Sequence, residues 1–180
     1  EEMTNEEFPS SIPILPLRNT VLFPGVVIPI TAGRDKSIKL INEANAGSKI
    51  IGVVAQKNEE DEDPSKDDIH HIGTVARILR VLKMPDGNIT VILQGKKRFE
   101  IDSIVSELPF ITANIKEVPE KRPGKHDTEF TTIIDSIKES AIEIIKESPN
   151  IPTEATFAIK NIESQSFLIN FVSSNMNLSV

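Results

Sequence analysis

The apolar residues of this chain change period once, and that change bounds what it can fold into. Up to Val118 they recur at every second position or in short continuous runs, the spacing that sets one or both faces of a strand on a core. After Pro119-Glu-Lys-Arg-Pro-Gly-Lys125, a polar segment with two prolines and a glycine, they recur at three- and four-residue intervals, the period of a helix. A chain that keeps its strands and its helices in separate stretches is α+β rather than a parallel α/β layer. The expected division is a β-domain over 10–118, a linker over 119–127 and a helical subdomain over 128–180.

The strands carry their own punctuation. Ser11–Leu17 and Val26–Ile30 are rich in β-branched residues but hold Pro13, Pro16 and Pro29, with Pro24 between them. Proline cannot donate to a ladder, so these segments are expected at sheet edges or bulges. Phe23-Pro24-Gly25-Val26 is a turn, since Pro sets φ at the first central position and Gly accepts positive φ at the second. Asp35–Asn45 reads as a short amphipathic helix with Ile38, Leu40 and Ile41 on one side and Gly47 closing it. Ile50–Ala55 is a fully buried type of strand. Thr74–Leu82, a Pro85-Asp86-Gly87 turn, Ile89–Gln94, Lys97–Val105 and Phe110–Val118 follow, with Gly95-Lys96-Lys97 read as a corner between two strands. Alternation is cleanest where Phe99 and Ile101 stand against Arg98, Glu100 and Asp102. Short strands with one wet face and frequent turns predict a curled antiparallel sheet or pseudo-barrel, with one short helix.

Beyond the linker, Phe130, Ile133, Ile134, Ile137, Ala141, Ile144 and Ile145 predict one stripe along a helix from about Thr128 to Ser148, ended by Pro149 and Pro152. Shorter helical patterns follow around Glu154–Ile162 and Ser164–Ser173, and the three are expected to bundle beside the β-body.

Charge and composition narrow the function classes. Of the formal charge of −7, Glu1, Glu2, Glu6 and Glu7 carry −4 and Lys57–Asp68 carries −5, which leaves the rest of the chain at +2. No broad basic field exists to hold a phosphate backbone. The densest basic cluster, Lys96, Lys97 and Arg98 with Arg77 and Arg80, has only Phe99 interleaved, and the chain contains no Tyr or Trp for base stacking. Nucleic acid is therefore not an expected partner. Lys57–Asp68 has no apolar residue to offset its ordering entropy and reads as a mobile hairpin loop. Zero cysteines exclude disulfide and thiolate chemistry and fit a reducing cytoplasm. No apolar run approaches the ~20 residues of a membrane span, and the acidic start is unlike a secretory signal. The non-Met first residue, and the lack of a stop signal in Asn175–Val180, read as cut ends.

Catalytic chemistry finds little support. Gly95-Lys96-Lys97 lacks the upstream glycine and the following hydroxyl of a phosphate-binding loop. His70 and His71 are adjacent, so in an extended strand they face opposite ways and do not reach one ion. His126 stands alone in the linker. No serine has a base beside it in any recognisable pattern, and the acidic-loop carboxylates lack the burial that splits pKa values for acid–base work. The expectation is a non-catalytic chain with no metal and no cofactor of its own.

Pro16-Leu-Arg-Asn-Thr-Val-Leu-Phe-Pro-Gly25, then Pro29 and Gly33-Arg34, closely resembles the opening signature of the Lon amino-terminal domain family. The resemblance continues through Ser37-Ile38, Val54-Ala55-Gln56-Lys57, Ile72-Gly73-Thr74-Val75-Ala76, the Met84-Pro85-Asp86-Gly87 turn and Gln94-Gly95-Lys96-Lys97-Arg98-Phe99. It covers Ile12–Val118 closely and Thr128–Val180 more loosely, best at Phe167-Leu168-Ile169-Asn170-Phe171. Gln94 departs from the acidic residue or Val expected before the glycine, and Lys97 intervenes before Arg98. The resemblance implies a PUA-like curled β-domain (the fold shared with pseudouridine-synthase-associated domains) followed by helices, at the amino terminus of an ATP-dependent serine protease. In that parent, a hexameric ATPase using ATP and Mg would unfold proteins and a Ser-Lys dyad would cut them, both outside this chain. It further implies capture of damaged, unfolded or tagged proteins, with or without adaptors, and help in subunit assembly. A rival reading is a stand-alone PUA-like or Lon-like domain acting on nucleic acid or in a ubiquitin-type adaptor.

A domain that grips many unfolded chains needs exposed apolar or backbone-pairing surface rather than a shaped pocket. The proline-studded edge, with Val21, Leu22, Phe23, Val26, Val27 and Ile28, is the candidate, although Phe23 also has the size to plug the barrel end. Ile142, off the main helical stripe, is the candidate for contact between subunits.

Overall fold

The computed structural model describes residues 6–124, 127–152, 154–176 and 180; His126 lies outside them. In chain order the elements are β1 (Ser11–Leu17), β2 (Val27–Ala32), α1 (Asp35–Ala46), β3 (Ile50–Ala55), β4 (Ile72–Lys83), β5 (Ile89–Ser106), β6 (Thr112–Glu117), α2 (Thr128–Glu147), α3 (Glu154–Lys160) and α4 (Gln165–Asn175). The strands form one sheet in the order β2-β5-β4-β3-β1-β6, and β6 pairs again with the C-terminal part of β5. The sheet thus curls back on itself into a pseudo-barrel, with β2 left hanging from β5 as a free edge.

Alternation predicted antiparallel neighbours, and five of the six pairings are antiparallel. The exception is β1 with β3, parallel from Ile14↔Gly52 to Leu17↔Ala55. Parallel neighbours need a crossover, and β2 plus α1 supply one. The edge position read from the prolines holds for β2 and not for β1, which is interior. β1 spends Ser11–Pro13 on β6 and Ile14–Leu17 on β3, so each half has one partner and its prolines sit where no ladder donor is missed.

In place of the corner expected at Gly95-Lys96-Lys97, β5 continues for 18 residues with a bulge there, since its pairing with β4 slips by one residue between Thr74↔Arg98 and Ala76↔Gly95. Gly95 serves a different purpose: a Cβ there would collide with the carbonyl oxygen of Phe23, so the glycine lets the Pro24-Gly25 turn lie directly on the strand. Gly25 N donates to Gly95 O at 2.9 Å, and Gly25 takes φ 80°, as the turn signal requires.

Two cores result. Leu15, Leu17, Ile51, Val53, Ile78, Val91 and Leu93 pack with Leu40 and Ile41 of α1. On the opposite face, Ile12, Ile14, Ile50, Val54, Val75 and Ala113 surround Phe99, which is completely buried. β1 and β3 serve both cores with alternate side chains, which is why all six residues of β3 are buried. Gly73 makes room for this arrangement, because a Cβ there would meet Val53 O and the Phe99 ring.

The helices depart from a simple bundle. α2 is capped by Asp127, whose side chain accepts from Phe130 N at 2.9 Å. It packs on α3, burying Ile134, Ile145 and Ile159, and Lys138 Nζ donates to Ile162 O at 2.8 Å. Ile133 and Ile144, placed on the stripe by their spacing, are 51% and 63% exposed. At about 100° per residue the buried arc centres on Ile134, Ala141 and Ile145, and a short partner covers too narrow an arc to reach the flanks. Ile142, on the other flank, is half-buried. α4, capped by Ser164, reaches the sheet itself: its buried Asn170 accepts from Arg98 Nη2 of β5 at 3.0 Å.

Candidate functional site: the seam between the first two strands

The residues of the Pro16–Arg34 signature converge on one seam. Among the described residues β2 is paired only with β5, and Leu15–Leu17 of β1 are paired only with β3. The open sides of these two strands border a groove of about 780 Å³, closed off by the start of α1, Phe110 and the acidic loop.

Arg34 locks one end of it. Its Nη2 donates to Pro16 O and its Nη1 to Gln56 Oε1, each at 3.0 Å. Gln56, 3% exposed, spends its Nε2 on the carbonyls of Asn58 (2.6 Å) and Asp61 (3.0 Å). One guanidinium therefore joins β1, the end of β3 and the acidic loop. Burial, and then the neighbouring Arg18, pull the Arg34 pKa below the ordinary guanidinium value, with Glu62, Asp61 and Asp63 acting the other way.

The loop Lys57–Asp68, read from its composition as mobile, follows a defined path. Lys57 N donates to Asp68 O (2.7 Å), and Ser65 N and Oγ both donate to Asp68 Oδ2, at 2.9 and 2.6 Å. The two Ser65 bonds, the hydroxyl's first, hold the Asp68 carboxyl below the usual carboxylate range. Across the groove mouth, Arg18 pairs with Glu62 at 2.7 Å and Lys36 with Asp63 at 2.6 Å. Local hydrogen bonding and ion pairs supply the order that apolar burial does not, which a count of apolar residues misses.

The proposed contact residues divide by position. Leu22 (3% exposed) and Val26 (7%) belong to the interior, and as contact residues they are corrected: Leu22 packs in the α1-side core, and its carbonyl accepts from buried Thr74 Oγ1 at 2.6 Å. Val21 (42%) and Val27 (49%) are exposed, and Phe23 and Ile28 are half-buried. The chain leaves β1 through Asn19 at φ 42° and enters β2 from a turn, so alternate side chains point in and out.

Four of the five side chains of the basic cluster are engaged, and Arg80 is exposed with no ion pair among the described residues. Arg77 and Lys96 pair with Glu6, Lys97 with Glu117 at 3.1 Å, and Arg98 with Asn170. Burial lowers the Lys96 pKa. His70 and His71 are exposed, and no cluster of three or more metal-ligating side chains occurs among the described residues.

Among the described residues, a curled sheet of the PUA-like kind leaves open sides on two strands beside a groove with an apolar interior and charged side chains at its mouth. The family model described as the ATP-dependent protease La (LON) substrate-binding domain matches residues 11–180, and the chain belongs to that family. It is 84% identical over its whole length to the Lon protease of Flavobacterium johnsoniae and 52% identical over 98% of its length to that of Cytophaga hutchinsonii. In each case it spans 22% of the relative's length. Among solved structures it resembles the N-terminal domain of Mycobacterium avium complex Lon protease, with a TM-score of 0.75 at 20% identity over 94% of this chain and 84% of that one. A Lon N-terminal domain protein from Xanthomonas campestris gives 0.53 at 15% identity, over 93% of this chain and 99% of that one. At such identities these two likenesses speak for the fold alone.

Proposed function

We propose that this chain is the substrate-recognising, non-catalytic part of an ATP-dependent Lon serine protease, binding damaged, unfolded or tagged proteins and aiding subunit assembly. The observation that carries the reading is the family match over residues 11–180, since that family is described by substrate binding. ATP with Mg, and cleavage by a Ser-Lys dyad, would belong to other parts of the longer relatives. A cytoplasmic, hexameric parent working with or without adaptors completes the proposal. No helix among the described residues is long and apolar enough to cross a membrane.

Within the seam, Val21, Phe23, Val27 and Ile28 supply the apolar contact, with Leu22 and Val26 holding the backbone beneath them. Ile142, half-buried on one flank of α2, offers apolar surface for self-association, and the more exposed Ile133 and Ile144 offer a second on the opposite flank. A nucleic-acid reading draws little support from a basic cluster whose side chains are largely paired.

The deciding measurement is capture of an unfolded model protein against a short RNA at physiological salt. Protein capture with negligible RNA binding is expected; tight, salt-sensitive RNA binding without protein capture would overturn the reading. Phe23→Ala should weaken capture while leaving the melting transition cooperative. Unchanged capture by that folded variant would remove Phe23 from the contact surface.

A further inference from the structure

The strand edge at the seam has the chemistry of a peptide-binding ladder. Val26 O accepts from Gly95 N at 2.9 Å, and bonding alternates along an antiparallel pair. The backbone groups of Ile28, Ile30 and Ala32 therefore face β5, while those of Val27, Pro29 and Thr31 face the open side. No other strand pairs with β2 among the described residues. Such an edge invites another strand unless it is blocked.

The nearest available strand is β1, and it is prevented from closing the gap. Pro29 and Pro16 have no N–H to give, and Pro16 O is already taken by Arg34. The slot that remains is the groove of about 780 Å³, walled by Ile30 and Leu17, with Leu40, Phe110 and Ile111 lining it. That volume falls in the range of ligand sites. Its depth is apolar and its rim is charged.

The charged side chains that line the groove balance, Arg18, Arg34 and Lys36 against Asp35, Glu62 and Asp63, and the acidic excess lies in the loop beyond them. Lys57–Asp68 carries −5, and although Glu62 and Asp63 are paired with Arg18 and Lys36, Glu59 and Glu60 stay exposed in the same loop. A ligand cation is favoured there, and an acidic segment is repelled.

We propose that an extended peptide segment, apolar at alternate positions and flanked by Lys or Arg, adds as a strand to the free edge of β2 along this groove, its basic flank beside the acidic loop. The proposal rests on the substrate-binding reading and specifies its chemistry: backbone bonds to Val27, Pro29 O and Thr31 give affinity indifferent to sequence, and the groove takes every second side chain.

The test uses the 180-residue chain and a nine-residue peptide of alternating Val and Thr with Lys at both ends. Two further peptides carry N-methyl groups on one or the other alternate set of amides. Strand addition predicts that one methylated set binds at least tenfold more weakly and the other within about twofold, since only one set of N–H groups faces β2. Thr31→Pro, which deletes an edge donor and keeps the β5 pairing, should weaken the unmethylated peptide by about tenfold. Replacing the terminal Lys by Glu should weaken it further at low salt than at high salt.

Capture of an unfolded protein is measured in parallel. Capture without peptide binding, or peptide binding with both methylated sets equal, overturns strand addition and leaves the substrate-binding reading standing. Loss of both peptide binding and capture by the unaltered chain overturns both. If Thr31→Pro does not fold, the methylation pattern on the unaltered chain decides.

Discussion

Arg34 shows how much of this fold hangs on a single side chain. Its two donated bonds satisfy the carbonyl of a proline that has no strand partner on that side and the side-chain oxygen of a buried glutamine. Arg34→Ala leaves both acceptors short of a partner, at a cost of about 1–3 kcal/mol each at most, and frees the acidic loop from β1. The urea midpoint should fall at an unchanged slope. Arg34→Lys should recover only part of the loss, because one ammonium does not reproduce a planar fork aimed at two separated oxygens. Full recovery by lysine would show that charge, not geometry, is the requirement. Arg34 was visible beforehand only as a letter in the Gly33-Arg34 motif; its partners lie 18 and 22 residues away, and nothing local points to them.

Among elements, α2 and the acidic loop test opposite kinds of order. Apolar spacing placed Ile144 and Ile145 together on the α2 stripe, yet Ile145 is 8% exposed and Ile144 63%. Ile145→Ala should cost about 2–4 kcal/mol in denaturant unfolding of the helical part, and Ile144→Ala under about 0.5 kcal/mol. Equal losses would mean that both face a partner. The acidic loop is held by polar bonds, and its pH response follows from Asp68. The carboxyl's folded-state pKa lies below its unfolded value, so its contribution is present above the ordinary carboxylate range and is lost as pH falls through the folded pKa. Amide protection factors in Lys57–Asp68 should drop on acidification below about pH 4, ahead of those in β3 and β4. Asp68→Asn should lower that protection at neutral pH and flatten its pH dependence.

At the scale of the whole molecule, the helices touch the sheet through Asn170, which accepts from Arg98 beside the Pro24-Gly25 turn, around a cavity of about 280 Å³. The seam and the helical part therefore share a border. Asn170→Ala strips the Arg98 guanidinium of its recorded partner and should raise proteolytic cleavage within 119–127 severalfold, with little change in the melting of the sheet. Unchanged cleavage would show that α4 docks through Leu168 and its apolar neighbours alone. The bundle expected beside the β-body did not specify such a link.

The α+β class, the curled sheet, the turn at Pro24-Gly25, the short helix α1 and the fully buried β3 were all legible in the sequence, because each rests on period, proline or glycine chemistry acting over a few residues. Three features were not. The parallel pairing of β1 with β3 depends on where a crossover lands, and local spacing is the same for either direction. The continuity of β5 through Gly95 depends on a turn 70 residues earlier pressing on the strand, so a glycine that looked like a corner is a point of close approach. The candidate site divides in the same way: the Pro16–Arg34 segment was recognisable as a signature, but burial of Leu22 and Val26 against exposure of Val21 and Val27 was decided by the path of one turn. Local chemistry set which elements form and where they stop; long-range contacts between strands far apart in sequence decided which edge stays open for a partner.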